Sequence, residues 1–226
     1  LAEEFIASLK ACVNSPQRRE RWRRALITLE SDPVFEEADV TSLLDLVMDD
    51  LGRPAGRLFR RLSSGHKIVL LTITKLVEHV EERTLVLMDE PEAHLHPPLL
   101  AALIRAVSDL LINRNGVAIV ATHSPVVLQE VPKSCVWKVR RHGGCAIVER
   151  TTAETFAENV GRLTHEVFGL EVTRSGFHKM IAEAVDPGDS FEDVYEKFGR
   201  EIGLEGRALI SLKIAEQRAQ NDEGNV

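Results

Sequence analysis

The run Thr84-Leu-Val-Leu-Met88, passing straight into Asp89-Glu90-Pro91, constrains this chain more than any other stretch. It is apolar without alternation and too short for a core helix. It therefore fits a strand buried on both faces of a parallel sheet. A second such run, Val117-Ala-Ile-Val-Ala121, follows Gly116 and enters Thr122-His123-Ser124-Pro125. Between the two, Pro97 opens a helix reaching about Asn113, which gives the strand, helix, strand order of a parallel crossover. The expected fold class is α/β.

The flanks are expected to be helical. Ser15 can cap and Pro16 can start a helix on which Trp22, Leu26 and Leu29 share one face. A third helix, about Thr41 to Leu51, is predicted to stop at Gly52. Another helix runs from His66 to about Val80. Strands near Cys135 to Arg140 and Cys145 to Arg150, around His142-Gly143-Gly144, read as a hairpin finishing the sheet region. Farther on, Phe156, Val160, Leu163 and Val167 read as one helical face, with capping-box spacing at Thr151 and Glu154. Phe191, Val194, Tyr195, Phe198 and Ile202 mark a second helix, and the tail from Asn221 to Val226 reads as frayed. The expected organisation is a helical arm over 1–60, a core over 61–150 and a helical region over 151–226.

At 226 residues the chain can bury a sizeable core. Three scattered cysteines, Cys12, Cys135 and Cys145, match no metal spacing and no disulfide framework, which fits a reducing cytoplasm; Cys135 and Cys145 could face each other across a hairpin but read instead as two small buried apolar side chains. No run approaches the roughly 20 apolar residues of a membrane span, so neither membrane insertion nor secretion is expected. The net charge of -7 argues against a surface that coats nucleic acid. One local exception is the cluster Arg18, Arg19, Arg21, Arg23 and Arg24, which suits either phosphates or a solvated face.

The two strand ends carry the chemistry. Asp89 and Glu90 emerge together at the edge where α/β sheets bind ligands. The first suits a magnesium ion and the second suits a base that deprotonates water for attack on a γ-phosphate. His123 stands at the corresponding end of the other strand, within reach of a γ-phosphate. Upstream, Leu62-Ser63-Ser64-Gly65-His66 places hydroxyls and backbone N–H groups at a helix N-terminus suited to phosphate, or to an ordinary serine cap.

In this order and spacing the three segments resemble the ABC ATPase superfamily. LSSGH resembles its signature, LVLMDEP its Walker B strand and ATHSP its histidine switch loop. The resemblance implies ATP and magnesium as cofactors, Asp89 as the magnesium acid, Glu90 as catalytic base and His123 as γ-phosphate sensor. It also implies that Ser63, Ser64 and Gly65 act on nucleotide held by a second copy, in a head-to-tail dimer or higher homo-oligomer. Glu92-Ala-His94-Leu-His96-Pro97 is similar to the non-transporter OLD and RecF groups; His94 and His96 read as contacts with the opposing protomer in preference to metal ligands, His96 touching the nucleotide.

No G-x-x-x-x-G-K-[ST] occurs, and the chain opens on Leu1. The expected reading is a partial ABC-type core that lacks its phosphate-cradling Walker A lobe and is inactive alone. The stretch from Glu158 to Phe177 is similar to Septu-type defence ATPases of the PtuA family. That resemblance implies an anti-phage complex in which the ATPase controls an HNH nuclease like PtuB, with DNA or RNA reached through the partner or the basic arm. The alternatives are a DNA-repair or chromosome-maintenance ATPase head, and a non-hydrolysing scaffold that docks a nuclease.

Overall fold

In the computed structural model, which describes residues 1–168 and 176–223, the chain divides into two compact units, Leu1–Val160 and Gly161–Val226. The first unit opens with helices α1 (Ala2–Val13), α2 (Pro16–Leu29), α3 (Pro33–Ala38), α4 (Gly52–Arg61) and α5 (Ser64–His79). As the sequence implies, the Ser15 side chain accepts from the Arg18 N–H and Pro16 occupies the first helical turn of α2. Trp22, Leu26 and Leu29 are all buried on one face.

A buried polar node ties three of these helices. The Trp22 indole N–H donates to Thr74 Oγ1 at 2.9 Å, and the Thr74 hydroxyl donates to the Leu70 carbonyl. The Cys12 thiol faces the Thr74 carbonyl at 3.4 Å, and burial pushes it up to about 12, with the Glu78 carboxylate adding to the rise. The helices of residues 1–60 share one hydrophobic core with α5 and with α6 (Pro97–Ile112).

Gly52 corrects one expectation. Instead of stopping a helix it begins α4, and residues Val40–Asp45 form a short 3-10 turn where a longer helix was expected. The arginine cluster is also largely committed within the chain. Arg19 hydrogen-bonds the Leu44 carbonyl, Arg21 the Val80 carbonyl, and Arg18 lies 3.9 Å from Glu81. Hydrogen bonds from Arg23 and Arg24 to Glu20 hold its carboxyl down to about 2.

Strands β1 (Leu85–Asp89) and β2 (Val117–Ala121) pair in parallel, Leu85 opposite Val117 and Asp89 opposite Ala121, with α6 as the connection. Gly116 permits the entry into β2, because a Cβ there would meet the Leu111 side chain at 2.8 Å and the Thr84 carbonyl at 3.1 Å. Val86, Met88 and Ala118 pack on the core. The other face is open: Leu87 is 71% exposed, and Leu85, Val117 and Ile119 are exposed beside it. The expected burial on both faces fails because nothing among the described residues covers this second face.

Helix α7 (Pro125–Gln129) follows β2, capped by the Ser124 side chain, and packs through Val127 against Leu100 and Ile104 of α6. Strands β3 (Trp137–His142) and β4 (Cys145–Arg150) form the expected hairpin, with Gly143 at φ +58 in its turn. It is a separate two-stranded sheet and does not extend β1–β2. Cys135 precedes it and Cys145 pairs with His142, so the two cysteines do not face each other, and both are exposed, not buried.

No helix begins at Thr151. Glu154 instead accepts from the backbone N–H groups of Lys133 and Thr155, so α8 starts only at Val160 and ends at Phe168, leaving Phe156 outside it and exposed. In the second unit, α9 (Gly176–Ala184), α10 (Phe191–Lys197) and α11 (Leu204–Glu223) enclose a small core of Ile181, Val185, Val194, Ile210 and Ile214. Ser190 and Asp193 cap α10 reciprocally. That helix stops before Phe198 and Ile202, which still pack on the same core, because Gly199 and Arg200 turn the backbone to positive φ. Part of the Glu158 to Phe177 resemblance, residues 169–175, and the last part of the tail, 224–226, lie outside the described residues. No helix among the described residues is long and apolar enough to cross a membrane.

Candidate functional site

The parallel register brings the two polar strand ends side by side. Asp89 closes β1, and the Glu90 N–H donates to the Ala121 carbonyl at 2.8 Å, which extends the pairing by one residue. Glu90 sits at φ +45 and His94 at φ +67, left-handed backbone that non-glycine residues adopt at a cost, a kind of strain that gathers at functional sites. The Glu90 carboxylate is 63% exposed, with one oxygen 3.7 Å from His123 Nδ1. Asp89, Glu90 and His123 are thus brought together at one edge of the sheet, open to solvent.

Glu92 is the residue that sequence reasoning passed over. Its Oε1 accepts from the Thr122 hydroxyl at 2.7 Å and the His123 N–H at 2.9 Å, and lies 3.2 Å from His123 Nδ1. Burial alone would raise its carboxyl. Hydrogen bonds from its own backbone, Thr122 and His123, with the nearby imidazole, outweigh that and hold it below the usual carboxylate range. Its Oε2 is buried with no hydrogen-bond partner among the described residues. The signal was present in the repeated acid of Asp89-Glu90-Pro91-Glu92, but nothing in the spacing says which acid turns inward.

The signature-like loop lies at the N-terminus of α5. Ser63 is the N-cap, its hydroxyl 3.4 Å from the His66 N–H and 2.6 Å from His66 Nδ1. Gly65 is fixed by close approach: a Cβ there would stand 2.9 Å from the His94 carbonyl. This locks the signature loop against the loop after β1 within the same chain. His96 is the N-cap of α6 and places Nε2 3.4 Å from Asp32 Oδ2.

Asp32 is likewise unforeseen. It caps α3 and is buried, with Oδ1 2.9 Å from His66 Nε2. Burial opposes its charge, yet hydrogen bonds from His66 and the Val34 and Phe35 backbone, with the His66 charge, hold its carboxyl below the usual range.

A carboxylate pair on a rigid strand end suits a hard cation and a base, and the α5 N-terminus suits phosphate oxygens. The chemistry of these residues is compatible with a magnesium ion and phosphate oxygens.

The family model described as "AAA domain, putative AbiEii toxin, Type IV TA system" matches residues 8–129. The chain is 45% identical over 241 residues to Protein ea59 of Escherichia phage lambda. That alignment covers 99% of this chain and 45% of the relative, so the chain spans less than half the relative's length.

Proposed function

Because the chain belongs to the AAA domain family, an ATPase-type family whose members use ATP and magnesium, we propose that it supplies the catalytic acids, sensor and signature of an ATP-hydrolysing protein. The observation that carries this reading is the convergence of Asp89, Glu90 and His123 at paired strand ends, with Glu92 holding the histidine loop. Magnesium, when bound, would neutralise developing charge on the phosphates. Asp89 would hold that ion, directly or through water. Glu90, exposed and placed by the strand end, would orient a water and accept its proton. His123 would donate a hydrogen bond to the γ-phosphate, its Nδ1 anchored toward Glu92.

Ser63, Ser64 and Gly65 would act on nucleotide held by a second copy, since they stand at the N-terminus of α5, a helix end suited to phosphate. A phosphate-cradling loop beyond these 226 residues would have to complete the nucleotide site. The open face of Leu85, Leu87, Val117 and Ile119 is an apolar surface on which such a lobe could complete the sheet.

Control of a nuclease partner is a finer claim, supported only by the Septu-like stretch around α8. A relative encoded by a phage gives no preference for host defence, so the proposal rests on ATP hydrolysis. Its test is complementation. Full-length Ser63→Arg and Glu90→Gln proteins should each be inactive, while their mixture should regain part of the ATP turnover through one intact composite site. Heterodimers that form without any recovery would remove the trans role.

A further inference from the structure

We propose that Asp32, His66 and His96 form a binding site for a divalent transition-metal ion of the zinc class, clamping the early helices to the signature loop and to the start of α6. This site is separate from the magnesium site at Asp89 and does not depend on the nucleotide reading.

Three segments far apart in sequence meet here. One ligand atom from each residue lies within 4.8 Å of the others. Asp32 bridges the pair, Oδ1 at 2.9 Å from His66 Nε2 and Oδ2 at 3.4 Å from His96 Nε2. Two imidazole nitrogens and a carboxylate oxygen are a donor set suited to zinc and its neighbours.

The surroundings also suit a metal. His66 carries the outer partner that a metal-bound imidazole needs, because Ser63 Oγ lies 2.6 Å from its Nδ1 and fixes the ring. The Phe35 ring meets His66 edge-on and helps to exclude water from that side. Asp32 and His66 are nearly fully buried, whereas His96 is half exposed and leaves an entry path and open coordination positions. Of the three ligands only His96 was assigned to the nucleotide, and the cluster reassigns it to the metal; Ser63, which fixes His66, keeps its place at the N-terminus of α5.

Each imidazole would bind the ion through Nε2 as the neutral ring with its proton on Nδ1, which faces Ser63 Oγ in His66 and in His96 gives up the long 3.4 Å bond that Nδ1 now accepts from the Leu99 N–H. Protons compete with the metal for these nitrogens, so affinity falls with falling pH, with no change of oxidation state.

The test uses full-length protein stripped with chelator and titrated with cobalt(II), then zinc, by visible absorption and calorimetry. The expected result is one His96-dependent equivalent with ligand-field absorption, displaced by zinc and weaker at lower pH. His96→Ala and Asp32→Asn should weaken it by at least about tenfold. His123→Ala should leave it intact. His96→Gln serves as a second variant if circular dichroism shows that the alanine variant is misfolded. Absence of a His96-dependent equivalent would reduce the cluster to a hydrogen-bonded relay and overturn the proposal. So would binding lost in His123→Ala and kept in His96→Ala, which would assign the ion to the Glu90 site.

Discussion

Glu92 Oε1 accepts the backbone N–H of His123 at 2.9 Å while standing 3.2 Å from the Nδ1 of the same residue. One carboxylate therefore fixes both the loop and the ring of the histidine at the end of β2. Glu92→Ala in the full-length protein should lower ATP turnover by about tenfold or more with little change in the KM for ATP, since it misplaces a sensor without removing a binding group. Steady-state kinetics checks this. An unchanged kcat would show that His123 needs no such anchor.

The buried node of Trp22 and Thr74 should govern the stability of the first unit. Thr74→Val keeps the shape but strands the indole N–H, at a cost of about 1–3 kcal/mol. Thr74→Ser keeps the hydroxyl and should cost less. Urea unfolding followed by circular dichroism of this chain distinguishes them, and equal midpoints for the two variants would contradict the hydrogen-bond account.

Asp32 should make stability sensitive to acid. Its folded carboxyl lies below its ordinary value of 3.8, so its contribution is complete above about pH 4 and is lost as pH falls through the lower folded value. Between pH 5 and pH 2.5 the apo wild-type protein should lose more stability than Asp32→Asn does. Parallel pH profiles for the two would remove Asp32 as the cause. Glu92, also lowered, adds to the acid loss in both proteins and does not affect the difference.

Much of this molecule was legible in the sequence because its signals are local. Apolar runs of strand length, one ending in Asp89-Glu90 and the other in Thr122-His123, gave β1 and β2, Ser15 and Pro16 gave the start of α2, and His142-Gly-Gly gave the hairpin turn. The errors arose where distant partners decide. Gly52 can end one helix or begin another, and only the packing of α4 beneath α1 chooses. Glu154 has capping-box spacing, yet the Lys133 N–H captures it first. At the site, Asp89, Glu90 and His123 could be read from strand ends. Asp32 and Glu92 could not, because their importance lies in contacts to His66 and His123, each about thirty residues away in the chain.

The central claim is that Glu90 is the base of an ATP-hydrolysing site, and replacing it by glutamine tests this most directly. Glutamine keeps the size and the hydrogen-bonding reach but cannot take a proton. Full-length Glu90→Gln should bind ATP with magnesium as wild type does, while turnover falls by about a hundredfold or more. Turnover equal to wild type in a protein that still binds ATP would contradict the account.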